Sequence, residues 1–232
     1  QGPAAPPPPP HFVLTGGPGT GKTTVARMLG EILHALGILL FPEVIDVSLE
    51  DFTGQYVGQT QKRVDDLLAR AQGKVLFIDE AYTLANNQFG REAIDQLLRP
   101  LADKHRTMSV VVAGYPKNMN AFFAANKGLR RRFDYTIHLP DYSPVERTQI
   151  FLYMARERGF TWDEAFEQAV LAYFERRGVE GDGDFANAGG AERLLNQTLD
   201  RQASRILALD PAAEANDFRS QLLPEDLPAF ED

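Results

Sequence analysis

The 232-residue chain has no cysteine, and its four histidines (His11, His34, His105 and His138) lie far apart with no metal-ligand spacing among them. The absence of cysteine excludes a disulfide framework, a thiolate metal site and a cysteine nucleophile. Long apolar runs are missing too: none approaches the roughly 18 residues needed to span a bilayer. Nor is there an excess of basic charge. With 24 Lys+Arg against 32 Asp+Glu the net charge is -8 and the pI about 5.1, which argues against electrostatic nucleic-acid binding. No basic-plus-apolar secretory signal opens the sequence. These exclusions predict a soluble, intracellular α/β protein, with cytoplasmic and organellar locations both open. At 44% hydrophobic residues the chain is ample for a buried core, in one large or two modest domains.

Six of the 15 prolines fall in residues 1–10, which read as a proline-rich linker or cloning remnant. A ligand for a proline-recognising domain is the alternative. From His11 onward, apolar strands alternate with amphipathic helices. Strands are predicted at His11–Thr15, Val44–Ser48, Val75–Ile78, Ser109–Ala113 and Tyr135–Leu139. The helix after the first strand is expected to bury Val25, Met28, Leu29, Ile32 and Leu36 on one face. Val64, Leu67, Leu68 and Ala71 mark a second helix; Ala93, Ile94, Leu97, Leu98 and Leu101 a third; Asn118–Ala125 a short fourth. This alternation predicts a parallel sheet covered on both faces. After Pro140 only helices are expected. Ser143, Pro144 and Glu146 form one helix-start signature, and Thr161-Trp162-Asp163-Glu164 repeats it. That second helix should stop at Gly178, and a last helix carries Leu194, Leu195, Thr198, Leu199, Ala203 and Ile206. The predicted organisation is therefore an α/β domain over 11–141 and a small all-helical domain over 142–232, hinged near 139–143.

Gly16-Gly17-Pro18-Gly19-Thr20-Gly21-Lys22-Thr23 fits the G-x-x-x-x-G-K-[ST] pattern between a predicted strand and helix. Glycines let backbone N–H groups turn inward around phosphate oxygens. Gly17, Pro18, Gly19, Thr20, Gly21, Lys22, Thr23 and Thr24 are the candidate nucleotide-binding stretch. Lys22 reaches the β/γ-phosphates, Thr23 places its hydroxyl on Mg²⁺, and the helix N-terminus adds a positive dipole. An incidental glycine turn is the plainer alternative, and both flanks weigh against it. Leu76-Phe77-Ile78 then delivers Asp79 and Glu80 at a strand end. Adjacent carboxylates are costly without a nearby cation, so Asp79 is assigned to Mg²⁺ through water and Glu80 to polarising the attacking water. The two motifs together predict a P-loop ATPase using ATP and Mg²⁺.

The same residues resemble the AAA+ ATPases, specifically the CbbX/CfxQ group, which includes red-type Rubisco activase, the sporulation protein SpoVK and the EccA ATPases. The segments that carry the resemblance are HFVLTGGPGTGKTTVAR, GQYVGQT, VLFIDEAYTL, FGREAID, VVVAGYP, GLRRRFDYTIHLPDYSP and, more weakly, FANAGGAERLLNQTLDRQ. It implies a P-loop sheet domain followed by a helical lid, and usually a hexameric ring with ATP between subunits. GLRRRF is similar to the segment that gives an arginine finger to the neighbour's γ-phosphate, with Arg132 the first choice and Arg130 the second. Three arginines on a solvated loop are the plain alternative. Gln55-Tyr56-Val57-Gly58 resembles the first pore loop, making Tyr56 and Val57 candidates for gripping a threaded protein substrate, unless Tyr56 packs under the loop. Tyr115 sits near the sensor-1 position.

Two departures from the family pattern stand out. Only a proline-rich stretch precedes His11 where the family has a segment that helps bind adenine, so part of the nucleotide site is expected to be missing or to lie outside these residues; and Asn187-Ala188 is followed by Gly189 where a sensor-2 arginine is expected. Arg193, one turn later, is the candidate substitute. The resemblance thus implies an ATP-driven protein remodeller in a homo-oligomeric ring, with no nucleic-acid partner and no membrane span. A nucleotide-binding regulatory module of a longer protein and, specifically, a Rubisco activase are the alternatives. A DNA-handling enzyme ranks behind them, because GQYVGQT carries no basic residue.

Overall fold

Short apolar runs punctuated by glycine and polar turns form strands buried on both faces. In the computed structural model five strands make one parallel sheet in the order β2-β3-β4-β1-β5, the central three buried on both faces and the two edge strands partly exposed. The structure describes residues 7–52, 59–178, 187–208 and 220–229. The strands are β1 (Phe12–Gly16), β2 (Val44–Val47), β3 (Val75–Ile78), β4 (Ser109–Gly114) and β5 (Tyr135–Leu139). Between them run α1 (Lys22–Ala35), α2 (Leu49–Phe52), α3 (Gln59–Arg70), α4 (Gln88–Ala102) and α5 (Pro116–Ala125), with 3-10 turns at Ala81–Asn86 and Arg130–Arg132. Neither α2 nor the Ala81–Asn86 turn is foreseen from sequence, because four to six residues are too few to display a helical period.

Side chains alternate across the sheet with the period of two that a strand imposes. Val13, Leu76, Ile78, Val110 and Val112 face a layer that includes Phe52, Val64, Ile94, Leu97 and Phe122 from α2–α5. Phe12, Leu14, Val75, Phe77, Val111 and Ala113 face Ala26 and Leu33 of α1. Each fully buried large side chain contributes about 1.5–3 kcal/mol. The face of α1 differs from the sequence expectation. Ala26, Gly30 and Leu33 are buried, and Val25 and Leu29 pack partly buried against the core as expected, whereas Met28, Ile32 and Leu36 are 52%, 51% and 67% exposed. Close approach explains the reversal. A Cβ at Gly30 would lie 2.5 Å from the Pro42 carbonyl oxygen, so the helix turns its glycine to that backbone and Met28 and Ile32 outward.

The chain divides into two compact units, the first comprising Gln1–Gly17 and Gly21–Leu139, the second Pro18–Thr20 and Pro140–Asp232. The second unit holds α6 (Pro144–Glu157), α7 (Glu164–Arg176), α8 (Asn187–Ala208) and a 3-10 turn at Pro224–Asp226. Its core gathers Phe151, Phe166, Val170, Phe174, Leu194, Leu195 and Leu222. Ser143 and Glu146 make the reciprocal capping box predicted for α6. At α7 the cap is Asp163, which accepts from the Phe166 N–H, and not Thr161. Thr161 instead forms an isolated parallel bridge with Gln221. Asn187 opens α8 in a left-handed conformation, φ 55. Its side-chain amide donates to the carbonyl of Pro18 and to Asp141, and its oxygen accepts from the Tyr142 N–H. The Ala188 N–H donates to the Gly19 carbonyl, and the Tyr142 hydroxyl to that of Thr20. No helix among the described residues is long and apolar enough to cross a membrane.

Two buried basic side chains, one neutral and one charged, yield stability predictions. His11, fully buried before β1, accepts from the Val110 N–H through Nδ1. Burial, then the Arg106 charge, push its pKa down to about 4, against the opposing pull of Asp134 and the Leu101 carbonyl. A lowered folded pKa gives a contribution that is complete above the unfolded value of 6.5 and is lost as pH falls toward 4. Between pH 7 and 5 His11 should therefore remove about 2 kcal/mol of unfolding free energy, at about 1.4 kcal/mol per pH unit below 6.5. His11→Asn should flatten that slope in urea titrations at the two pH values; an unchanged slope assigns it elsewhere.

In the second unit the guanidinium of Arg147, 1% exposed, lies 5.2 Å from the Phe174 ring centroid and donates to the carbonyls of Phe174 and Gly178. It closes the negative end of the α7 dipole, and burial holds its pKa below the usual arginine value. Arg147→Met leaves those carbonyls without their donor and should destabilise the unit by about 2 kcal/mol or more. Arg147→Lys, lacking the fork, should recover only part of that in thermal melts.

Candidate functional site

Parallel pairing fixes what meets at the carboxyl edge of the sheet. In β3-β4-β1, Ile78 pairs with Val112, Val112 with Val13, and Gly114 with Thr15. The residues that follow these strands therefore emerge side by side: Asp79-Glu80 after β3, Tyr115 after β4, and the glycine-rich loop after β1. Gly19 and Gly21 have φ of +68 and +90, a region open to glycine at little cost, and Gly21 starts α1 so that Lys22 is its first residue. Lys22 Nζ donates to the carbonyls of Gly16 and Gly17, at 3.2 and 2.7 Å, and stands 5.6 Å from the centroid of the Tyr115 ring. Thr23 is half-buried in the first turn of α1, and Thr24 beside it is exposed.

The four side chains of β3 are all buried, so the acids after it are the first polar groups the strand presents. The Asp79 carboxylate accepts from the Glu80 N–H at 2.8 Å. Glu80 is held at φ 47, where few non-glycine residues go, and its carbonyl accepts both the N–H and the hydroxyl of Thr83 at 2.8 Å. Asp79, Glu80 and Thr83 line an open hollow together with Ser48, Leu49 and Glu50. Asp46 on β2 is a residue the sequence reading missed. Burial first, then the Asp79 charge, raise its pKa, with Arg27 opposing. The charge of Asp79 is thus felt by a neighbouring carboxyl. No cage of three or more histidine or acidic side chains exists among the described residues.

The remaining candidates lie elsewhere. Arg130, Arg131 and Arg132 are exposed and precede β5, which starts level with the start of β1. They occupy the amino end of the sheet, opposite to Lys22 and Asp79. Arg193 is exposed on α8 in the second unit. Pro18, Gly19 and Thr20 fall in that unit too, bonded as described to Asn187, Ala188 and Tyr142. The sequence treats Asn187 only as a landmark beside the absent arginine; its burial and left-handed backbone reveal it as a structural anchor. Tyr56 and Val57 lie outside the described residues.

Comparison with known proteins agrees with this arrangement. Residues 12–141 match the model for the ATPase family associated with various cellular activities (AAA), and residues 143–232 match an AAA lid domain. The chain is 37% identical over 200 residues to protein CfxQ of Xanthobacter flavus, an alignment covering 84% of this chain and 62% of that protein. It is 38% identical over 202 residues to the chloroplastic ribulose bisphosphate carboxylase/oxygenase activase of Cyanidioschyzon merolae, covering 85% and 68%. The chain thus spans less than two thirds of the length of CfxQ. Among solved structures, a mutant of Thermotoga maritima RuvB superposes with a TM-score of 0.66 at 20% identity, over 94% of this chain and 60% of that one, a likeness of fold. With a parallel sheet, a phosphate loop and an acid pair at one edge, and these relatives, the chain belongs to the AAA ATPase family, within its CbbX/CfxQ group.

Proposed function

We propose that the chain hydrolyses ATP at the carboxyl edge of β1, β3 and β4, with an arginine from a second copy completing each site. The observation that carries this reading is the position of Arg130–Arg132 at the opposite end of the sheet from the chain's own phosphate loop. β1 and β5 are five residues long, so roughly 16 Å of strand separates the two ends. An arginine there faces away from its own Lys22 and is available to a neighbour. Such head-to-tail contacts close into rings, and the family resemblance suggests a hexamer. Arg130 and Arg132 are both exposed, but Arg130 is engaged over the Phe123 ring, 4.9 Å from its centroid, which favours Arg132 as the finger.

In this reading the loop N–H groups and Lys22 hold the phosphates, and Thr23 and Asp79 are the residues that would hold Mg²⁺. Bound there, the ion would offset the charge of the β- and γ-phosphate oxygens. Glu80 orients the attacking water and takes its proton as the bond from the γ-phosphorus to the departing ADP breaks. The neighbour's Arg132 spreads the charge of that transition state. Residues 11–141 act as the nucleotide-binding domain and 142–232 as its lid. Turnover drives the remodelling of a protein substrate through a central pore, a reading that for Tyr56 and Val57 rests on the sequence. The name of the Cyanidioschyzon relative makes Rubisco activation one substrate to try.

The test is ATPase rate per chain against protein concentration. The rate should rise with concentration, and Arg132→Ala should lower kcat about 10³-fold while nucleotide still binds. Arg132→Ala and Glu80→Gln, each inactive alone, should regain activity when mixed, because one supplies the carboxylate and the other the arginine. A rate independent of concentration, with no recovery on mixing, sinks the shared site and favours a nucleotide-gated module.

A further inference from the structure

Exposed arginines keep most of their side-chain freedom in water. The backbone beneath Arg130–Arg132 does not share that freedom. The three form a single 3-10 turn between Leu129, which is fully buried, and Phe133. The Phe133 ring meets those of Phe122 and Phe123 edge-on, at 6.5 and 5.8 Å between centroids, an arrangement that orients the ring as well as burying it.

Polar contacts pin the same loop at both ends. At its entry the side-chain amide of Asn126 donates to the Asp95 carboxylate on α4 at 2.8 Å, and its oxygen accepts from the Gly128 N–H at 2.8 Å. At its exit Asp134 and His11 close a ring of two hydrogen bonds. The Asp134 N–H donates to the His11 carbonyl at 2.9 Å, and the His11 N–H donates to the Asp134 carboxylate at 2.7 Å. Arg106 Nη2 stands 3.7 Å from the same carboxylate oxygen. Its guanidinium in turn donates to the carbonyls of Pro9 and Asp103, at 2.9 and 3.1 Å. The Arg106 side chain is 13% exposed against 45% for Asp134, so the acid is anchored on a cation that the fold holds in place. A carboxylate two residues from Arg132 is also a natural partner for that guanidinium. Engaged by His11 and Arg106, it serves the backbone of the loop instead.

We propose that Asp134, backed by Arg106, is a positioning residue for the arginine given to a neighbour. It fixes the exit of the loop, so that Arg132 reaches a second copy's γ-phosphate from a rigid base. A guanidinium stabilises a transition state best when it is in place beforehand, and an ångström of misplacement is enough to lose about 10²-fold in rate. This inference rests on the reading of Arg132 as an arginine shared between copies.

The experiment measures kcat and the Kd for ATP separately on the full chain at saturating protein concentration, then mixes variants one to one. Asp134→Ala should lower kcat about tenfold, less than removal of Arg132 does, with the Kd within about twofold of the unaltered chain, because its own phosphate loop lies at the other end of the sheet. Mixed with Glu80→Gln, it should reach about a quarter of the unaltered rate, the share of neighbour pairs in a random head-to-tail assembly that join an intact acid to a well-held arginine. Mixed with Arg132→Ala, it should gain nothing, since neither chain then supplies a placed arginine. A folding defect would spoil the chain's own site as well and could not produce that pattern. Asp134→Asn keeps an acceptor for the His11 N–H and gives up the charge that Arg106 pairs with. It should lower kcat about threefold with the same pattern on mixing, and serves if Asp134→Ala melts early. An unaltered kcat overturns the proposal. So does a loss that Glu80→Gln cannot repair while it still repairs Arg132→Ala. If Arg132→Ala and Glu80→Gln fail to complement one another, the shared site itself has failed, and the inference falls with it.

Discussion

The candidate chemistry depends on the parallel pairing of β3 with β4 and of β4 with β1. Hydrogen bonds along those two ladders leave no freedom to slide, because a one-residue slip would exchange the two buried faces of every strand. With Val13, Ile78 and Val112 fixed in one row, the turns that follow must open side by side. The lysine, the two acids and Tyr115 meet because the strands end together. The same ladders carry β5 alongside β1 and fix the arginines at the far end.

How much of this was legible depended on how local the signal was. The glycine loop and the acid pair are short motifs whose chemistry is complete within eight residues and two residues, so the sequence displays them directly. The strands were legible for a similar reason: four or five consecutive apolar residues such as Val75–Ile78 leave little choice. The burial of α1 was not legible, because hydrophobic periodicity ranks side chains by size and polarity. Here the deciding quantity was the gap to the backbone at Pro42, which admits Gly30 and no larger residue at that position. Periodicity cannot register a preference for having no side chain.

Asp46 and Asn187 went unread for a different reason. Each acquires its meaning from a residue distant in the chain: Asp46 from Asp79, Asn187 from Asp141 and Pro18. One signal was on the page. A lone aspartate inside the apolar β2 run Val44–Val47 is out of place in a strand and invites the question of what it faces. Asn187 belongs to the residues that tolerate a left-handed backbone, but nothing nearby in sequence announces that it will use one.

The left-handed backbone at Glu80 has a consequence for how the position tolerates change. A side-chain-bearing residue there costs roughly 1–2 kcal/mol that glycine would not. A chain shaped by folding alone would carry glycine at 80, and its first unit would melt at a higher temperature for it. The strand end keeps a glutamate where the polypeptide is most comfortable without one. If Glu80 activates water as proposed, durability and work pull in opposite directions at this single residue, and a screen that rewards heat resistance alone would drift toward a tougher, idle protein.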